Sequence, residues 1–174
     1  TPGIDLIIPD FTYVQKNADR IKGICITHGH EDHIGSLAYL LKEVNIPVYS
    51  TRLTNGLIEG KLKEHGLLDK SKLNVVNAGS SVKLGEFEVE FIHVNHSIAG
   101  AMAVAITTPI GTILHTGDFK IDNTPINQKP TDLKRFEEIG KKGVKLLMCE
   151  STNVGNAGWS LSESKVMQEL EKHV

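Results

Sequence analysis

Thr27-His28-Gly29-His30-Glu31-Asp32-His33 sets three histidines and two acids in six consecutive positions after a threonine. Imidazole nitrogen and carboxylate oxygen are the ligands that borderline metals such as Zn²⁺ take. In an extended segment alternate side chains share a face, so His28 and His30 can reach one metal ion. Asp32 and His33 come after the chain has begun to turn into a helix, and can face a second ion close to the first. The spacing suits a two-metal site better than a single one. Each residue alone has a plainer reading: Asp32 would cap a helix, a role worth about 1 kcal/mol, and histidines beside helix starts are common. The set H-x-H-x-D-H at a strand-to-helix turn is what points to metal chemistry.

Two residues elsewhere can close the shell. His96, in Val94-Asn95-His96-Ser97, ends an alternating strand. Asp118 follows another strand, and Gly117 lets the backbone turn so that its carboxylate points over the sheet edge. A carboxylate has two oxygens and can bridge two cations, which makes Asp118 the natural shared ligand. Lys120 can neutralise a phosphate beside such a site and Ser97 can hydrogen-bond it. His65, His93, His115 and His173 are expected to be structural or solvated.

These residues need elements to hold them. Ile4 to Ile8 and Gly23 to Thr27 are short apolar runs, the second stopping at the histidine cluster. Ile34, Leu37, Ala38, Leu41 and Val44 keep helical spacing, predicting a helix over 34–44. A strand at 47–50 and a helix over about 51–65, ended by Gly66, follow. Leu73 to Asn77 reads as a strand and 78–81 as a turn. Glu86 to Phe91 alternates strictly, predicting an antiparallel or edge strand with one solvated face. Met102 to Thr107 and Thr112 to His115 form a hairpin, 122–130 a loop, and Leu133, Phe136 and Ile139 a helix stopped by Gly143. Val144 to Cys149 is expected to be a buried strand. Ser160-x-x-Glu163 fits a capping box before a last helix carrying Val166, Met167, Leu170 and Val174. Sheets with helices outside them satisfy this order, as do other mixed α/β arrangements.

With 174 residues, 40% hydrophobic and 23% charged, the chain suits one globular domain and neither a disordered tail nor a fibrous repeat. It has no apolar run of about 18 residues that would span a membrane, and Thr1-Pro2-Gly3-Ile4-Asp5 lacks the basic start of a signal peptide. A net charge of −2 gives no support for a polyanionic partner, although a local patch can hide in a balanced total. Cys25 and Cys149 are expected to be buried thiols in a reducing compartment.

His28-x-His30-x-Asp32-His33, then His96, then Asp118 resemble the successive metal motifs of the metallo-β-lactamase superfamily. Gly117-Asp118-Phe119-Lys120 with Asp122-x-Thr124-Pro125, Glu150-Ser151-Thr152-Asn153, and Phe11-Thr12-Tyr13 after Ile8-Pro9-Asp10 resemble the ribonuclease J group. The resemblance covers nearly the whole chain. The first motif belongs to the whole superfamily; the segments around Lys120 and Glu150 point to the nucleases.

The resemblance implies an α/β (α+β) αββα sandwich, with 1–174 as one metallo-β-lactamase-fold segment of a longer protein. The first strands would be missing from it, and an inserted β-CASP domain would follow. It implies that His28, His30 and His96 bind one zinc, that Asp32 and His33 bind another, and that Asp118 bridges them. A further histidine would come from beyond this chain. Glu150 would sit near the metals, where it can accept the second N–H of a ligating histidine. Two zincs would hold a hydroxide for attack on phosphorus, oriented by Asp32 or Asp118. The implied activity is endonucleolytic and 5′-to-3′ exonucleolytic cleavage of RNA in RNA processing and decay, by a cytoplasmic homo-oligomer (dimer or tetramer) with no membrane partner. The isolated segment would be weakly active or inactive. The alternatives are a stand-alone hydrolase of thioesters or lactams, and a non-catalytic RNA-degradation subunit.

Overall fold

The computed structural model of the chain describes residues 3–126 and 128–173. Residues up to 75 and residues from 76 onward form two compact units, each with its own sheet and core.

In the first unit a three-stranded parallel sheet runs in the order β1 (Ile24–Cys25), β2 (Val48–Ser50), β3 (Leu73–Val75). Parallel neighbours need crossovers, and helices supply them. Ahead of the sheet lies the short α1 (Thr12–Lys16); α2 (Glu31–Ile34) and α3 (Leu37–Glu43) join β1 to β2, and α4 (Arg52–Glu64) leads from β2 towards β3. Ile34, Leu37, Ala38 and Leu41 meet Val48, Ile58 and Leu62 in one buried cluster. Removing each such aliphatic side chain from water contributes about 1.5–3 kcal/mol. The helix predicted over 34–44 starts three residues earlier and breaks at Gly35-Ser36. A Cβ on Gly35 would lie 2.6 Å from both the Glu31 carbonyl oxygen and Glu31 Oε1, and Glu31 is held across the turn by Lys61 Nζ at 2.6 Å. The run at 4–8 forms no strand, and Ile4, Leu6, Ile7 and Ile8 are exposed.

In the second unit a five-stranded sheet runs β4 (Ser81–Leu84), β5 (Phe87–His93), β6 (Met102–Thr108), β7 (Gly111–His115), β8 (Val144–Met148). All pairs are antiparallel except β7 with β8, which α5 (Leu133–Lys142) connects. β5 is therefore not an edge strand. Its alternation holds in part: Val89 and Phe91 are buried and Glu88 is exposed, but Phe87 is about half exposed and Glu90 is covered by Arg135 of α5. β4 was not foreseen; its charged and hydroxyl residues hide a strand that β5 pairs. Ile139, with Phe136, seats α5 against Ile92, Ala103, Ala105 and Leu114.

β8 departs from expectation. Leu146, Leu147 and Met148 are each about half exposed, and Cys149 is exposed beyond them. β8 is the sheet's last strand, with β7 its single neighbour. Cys25 is only partly buried, though burial pushes its thiol up to about 11. The final helix, α6 (Glu163–Glu171), is capped by Ser162 and not by Ser160: Ser162 Oγ accepts from the Lys165 amide. The Glu163 carboxylate instead accepts from the Ile126 amide at 2.8 Å. Thr1, Pro2 and Val174 lie outside the described residues. Among those described, no helix is long and apolar enough to cross a membrane.

Candidate metal centre

The first unit gathers three of the predicted ligands. The chain leaves β1 extended, stays extended through His30 (φ −68°, ψ 153°), and turns into α2 at Glu31. That change of conformation brings His28, His30 and His33 together. The His28 ring centroid lies 4.9 Å from that of His30 and 4.0 Å from that of His33. A ring nitrogen of His28 is within 4.8 Å of one of His30, and a ring nitrogen of His28 is within 4.8 Å of one of His33. His28 is fully buried, and its Nδ1 lies 3.0 Å from Thr27 Oγ1. In the tautomer where Nδ1 carries the proton, the hydroxyl accepts it, and Nε2 is the nitrogen available to a metal. Asp32 occupies the first turn of α2, 78% exposed, with Oδ2 3.5 Å from His33 Nε2.

The second unit brings His96 and Asp118 together. His96 follows β5, Asp118 follows β7, and His96 Nε2 lies 3.7 Å from Asp118 Oδ2. Two ligand atoms on one tetrahedral ion, each about 2.1 Å from it, sit about 3.4 Å apart, so this pair is within a few tenths of an ångström of a coordinating geometry. Several contacts fix it. Gly117 takes φ 59°, a left-handed conformation that costs a glycine little. The Gly117 amide donates to His115 Nδ1 at 3.0 Å, and Thr116 Oγ1 donates to the Gly117 carbonyl at 2.8 Å. Asn95 and Lys120, flanking the two ligands, form an antiparallel bridge.

The remaining candidates are engaged as follows. Glu150 Oε2 accepts from the Thr152 amide at 2.7 Å, and the Glu150 amide donates to Thr116 Oγ1 at 3.3 Å. Lys120 Nζ pairs with the buried Asp122 at 3.0 Å and donates to the Leu161 carbonyl at 3.4 Å. Ser97 is exposed on the loop after His96. His93 bonds the Lys129 carbonyl, and His65 stacks edge-on against Tyr39. Thr27, Asn95, His115 and Thr131 carry supporting roles that their residue types do not announce.

Taken as chemistry, the first unit offers three imidazoles and a carboxylate, and the second unit an imidazole and a carboxylate, with no thiolate among them. That set suits a borderline divalent ion such as Zn²⁺ or Mn²⁺, and the buried, hydroxyl-backed His28 has the support that metal-ligating histidines receive.

Comparison with known sequences agrees with this chemistry. The family model described as the metallo-β-lactamase superfamily matches residues 2–141. The chain belongs to that superfamily. Its mixed α/β build with two sheets is a metallo-β-lactamase superfamily fold. Among individual proteins it is similar to ribonuclease J of Helicobacter pylori (strain ATCC 700392 / 26695), 50% identical over 165 residues, covering 94% of this chain and 24% of the relative. Ribonuclease J of Synechocystis is 45% identical over 98% of this chain and 27% of the relative. That of Thermus thermophilus is 42% identical over 98% of this chain and 31% of the relative. The chain thus spans about a quarter of the length of the relatives it matches. A solved protein of unknown function from Enterococcus faecalis V583 matches 98% of this superfamily member and 48% of its own chain, with TM-score 0.63 at 19% identity, which supports the fold alone.

Proposed function

We propose that the full-length protein containing this chain is a metal-dependent ribonuclease that hydrolyses RNA phosphodiester bonds, acting as an endonuclease and as a 5′-to-3′ exonuclease. The observation that carries the reading is the identity of 42–50% to proteins named ribonuclease J over nearly the whole chain, in a sequence that also carries His28, His30, Asp32, His33, His96 and Asp118 as candidate ligands.

His28, His30 and His96 would hold one zinc ion, Asp32 and His33 a second, and Asp118 both. When bound, such a pair of ions supplies Lewis acidity for the phosphoryl oxygens and an activated water at neutral pH. The protein's own part is to orient. Thr27 fixes the His28 ring through the hydroxyl beside Nδ1. The carboxylates of Asp32 and Asp118 are the groups suited to accept a proton from the attacking water. Glu150, one residue past Cys149, would steady a ligating histidine. Lys120 and Ser97 would meet the phosphate, and for Lys120 this requires sharing its ammonium with Asp122.

The test is cleavage of 5′-monophosphorylated RNA by the full-length protein. Cleavage should vanish with chelator, return with added Zn²⁺ or Mn²⁺, and fall by at least ~100-fold in His30→Ala. Unchanged cleavage by His30→Ala would overturn the proposal. Hydrolysis of a thioester or lactam with no action on RNA would replace it with the stand-alone hydrolase.

A further inference from the structure

His96 and Asp118 sit on separate loops, so something other than sequence proximity must hold their 3.7 Å spacing. Residues 131 and 95 form a clasp that joins both loops. The Asn95 amide donates to Thr131 Oγ1 at 2.8 Å, and the Thr131 amide donates back to Asn95 Oδ1 at 3.0 Å. Thr131 Oγ1 in turn donates to the Lys120 carbonyl at 3.0 Å, and the Lys120 amide donates to the Asn95 carbonyl at 2.8 Å. Asn95 Nδ2 donates to the Lys129 carbonyl at 2.7 Å. One hydroxyl therefore bonds both ligand-bearing segments, one residue before His96 and two after Asp118.

The clasp is itself anchored. Asn95 is fully buried and Thr131 nearly so. The next residue, Asp132, caps α5 by accepting from the Arg135 amide, and its own amide donates to the His93 carbonyl. Thr131 thus transmits the position of a ten-residue helix, docked on the sheet through Ile139, to the two loops. A buried network with every partner satisfied rigidifies what it joins.

We infer that Thr131, acting with Asn95, is a positioning residue for the His96–Asp118 ligand pair, setting its affinity for metal without touching the ion. The inference rests on the metal reading above. Removing the hydroxyl takes away a bond to each loop and leaves no ligand altered. Support around metal ligands typically contributes 10–100-fold in affinity.

The test measures Zn²⁺ affinity of the full-length protein by competition with a chromophoric chelator, alongside the zinc-induced rise in Tm above each variant's own metal-free Tm. Thr131→Val, nearly isosteric, should weaken zinc binding by about 10–100-fold and shrink the zinc-induced rise. Thr131→Ser, which restores the hydroxyl, should bind within about 3-fold of wild type if the hydroxyl is what matters. A merely structural threonine would lower the metal-free Tm and leave affinity unchanged. That result in Thr131→Val, or in Thr131→Ala should the valine variant not fold, overturns the inference. His96→Ala separates the two readings. If it loses zinc while Thr131→Val does not, only the positioning role fails. If it keeps wild-type affinity, the metal reading fails and the inference with it.

Discussion

His96 Nε2 lies 3.7 Å from Asp118 Oδ2, with both side chains at least two-thirds shielded from solvent. The spacing belongs to the backbone clasp around them, since the Asn95–Lys120 bridge and the Thr131 bonds involve neither side chain. His96→Ala and Asp118→Ala should therefore leave the circular dichroism spectrum of the metal-free protein unchanged. Each should abolish most of the Tm rise that Zn²⁺ or Mn²⁺ produces in the wild type. Differential scanning fluorimetry with and without metal reads the second effect.

Gly35 is a close-approach position. An added methyl would meet the Glu31 carbonyl oxygen, a backbone atom that can yield only by moving α2, the helix that carries Asp32 and His33. Gly35→Ala should destabilise the protein by about 1–3 kcal/mol, the usual cost of overpacking. It should also weaken metal binding, which Ser36→Ala, one residue on, should not. Urea unfolding paired with metal competition checks both.

Asp122 is buried beneath the start of α6. Burial pushes its carboxyl up, but the amides of Glu163 and Thr124 and the Lys120 ammonium outweigh it and hold the group below the ordinary carboxylate value. A lowered folded value means that this stabilisation is fully present above about pH 4 and is lost as pH falls through the folded value. Asp122→Asn should cost about 1–3 kcal/mol near pH 7. It should also flatten the acid limb of the stability curve below about pH 4. Hydrogen exchange should show the first turn of α6 opening first, because Asp122 accepts from the Glu163 amide there.

Arg135 ties α5 to the sheet. Its Nε and Nη2 donate to the two oxygens of Glu90 at 2.6 and 2.9 Å, and Nη1 donates to Glu138 at 2.6 Å. The hydrogen bonds to Glu90 and then to Glu138 strengthen its hold on the proton, so it stays charged. Arg135→Met should destabilise by about 1–2 kcal/mol, with Arg135→Lys recovering only part because an ammonium cannot fork. Chemical denaturation of both variants checks this.

The candidate ligands are legible because their types are uncommon together and because H-x-H-x-D-H spans a change of period that the chain follows: His30 is extended and Glu31 opens a helix. The supports were not legible. Asn95 and Thr131 stand 36 positions apart, and neither residue type marks a site. The helical spacing after Ile34 holds, but the apolar period does not show that the chain turns at Gly35-Ser36 between α2 and α3. The capping box at Ser160 matched a pattern, yet Ile126 takes the Glu163 carboxylate and Ser162 takes the cap. The apolar run of β8 predicted burial, but burial depends on what covers a strand, and β8 has one neighbour.

The most direct test of the central claim is metal content. Full-length protein purified without chelator should be analysed for metals beside His30→Ala, with RNA cleavage measured on the same samples. Close to two zinc or manganese ions per chain, falling in the variant together with cleavage, is the predicted result. Metal-free protein that cleaves RNA, or a His30→Ala variant with the wild-type complement and rate, would contradict it.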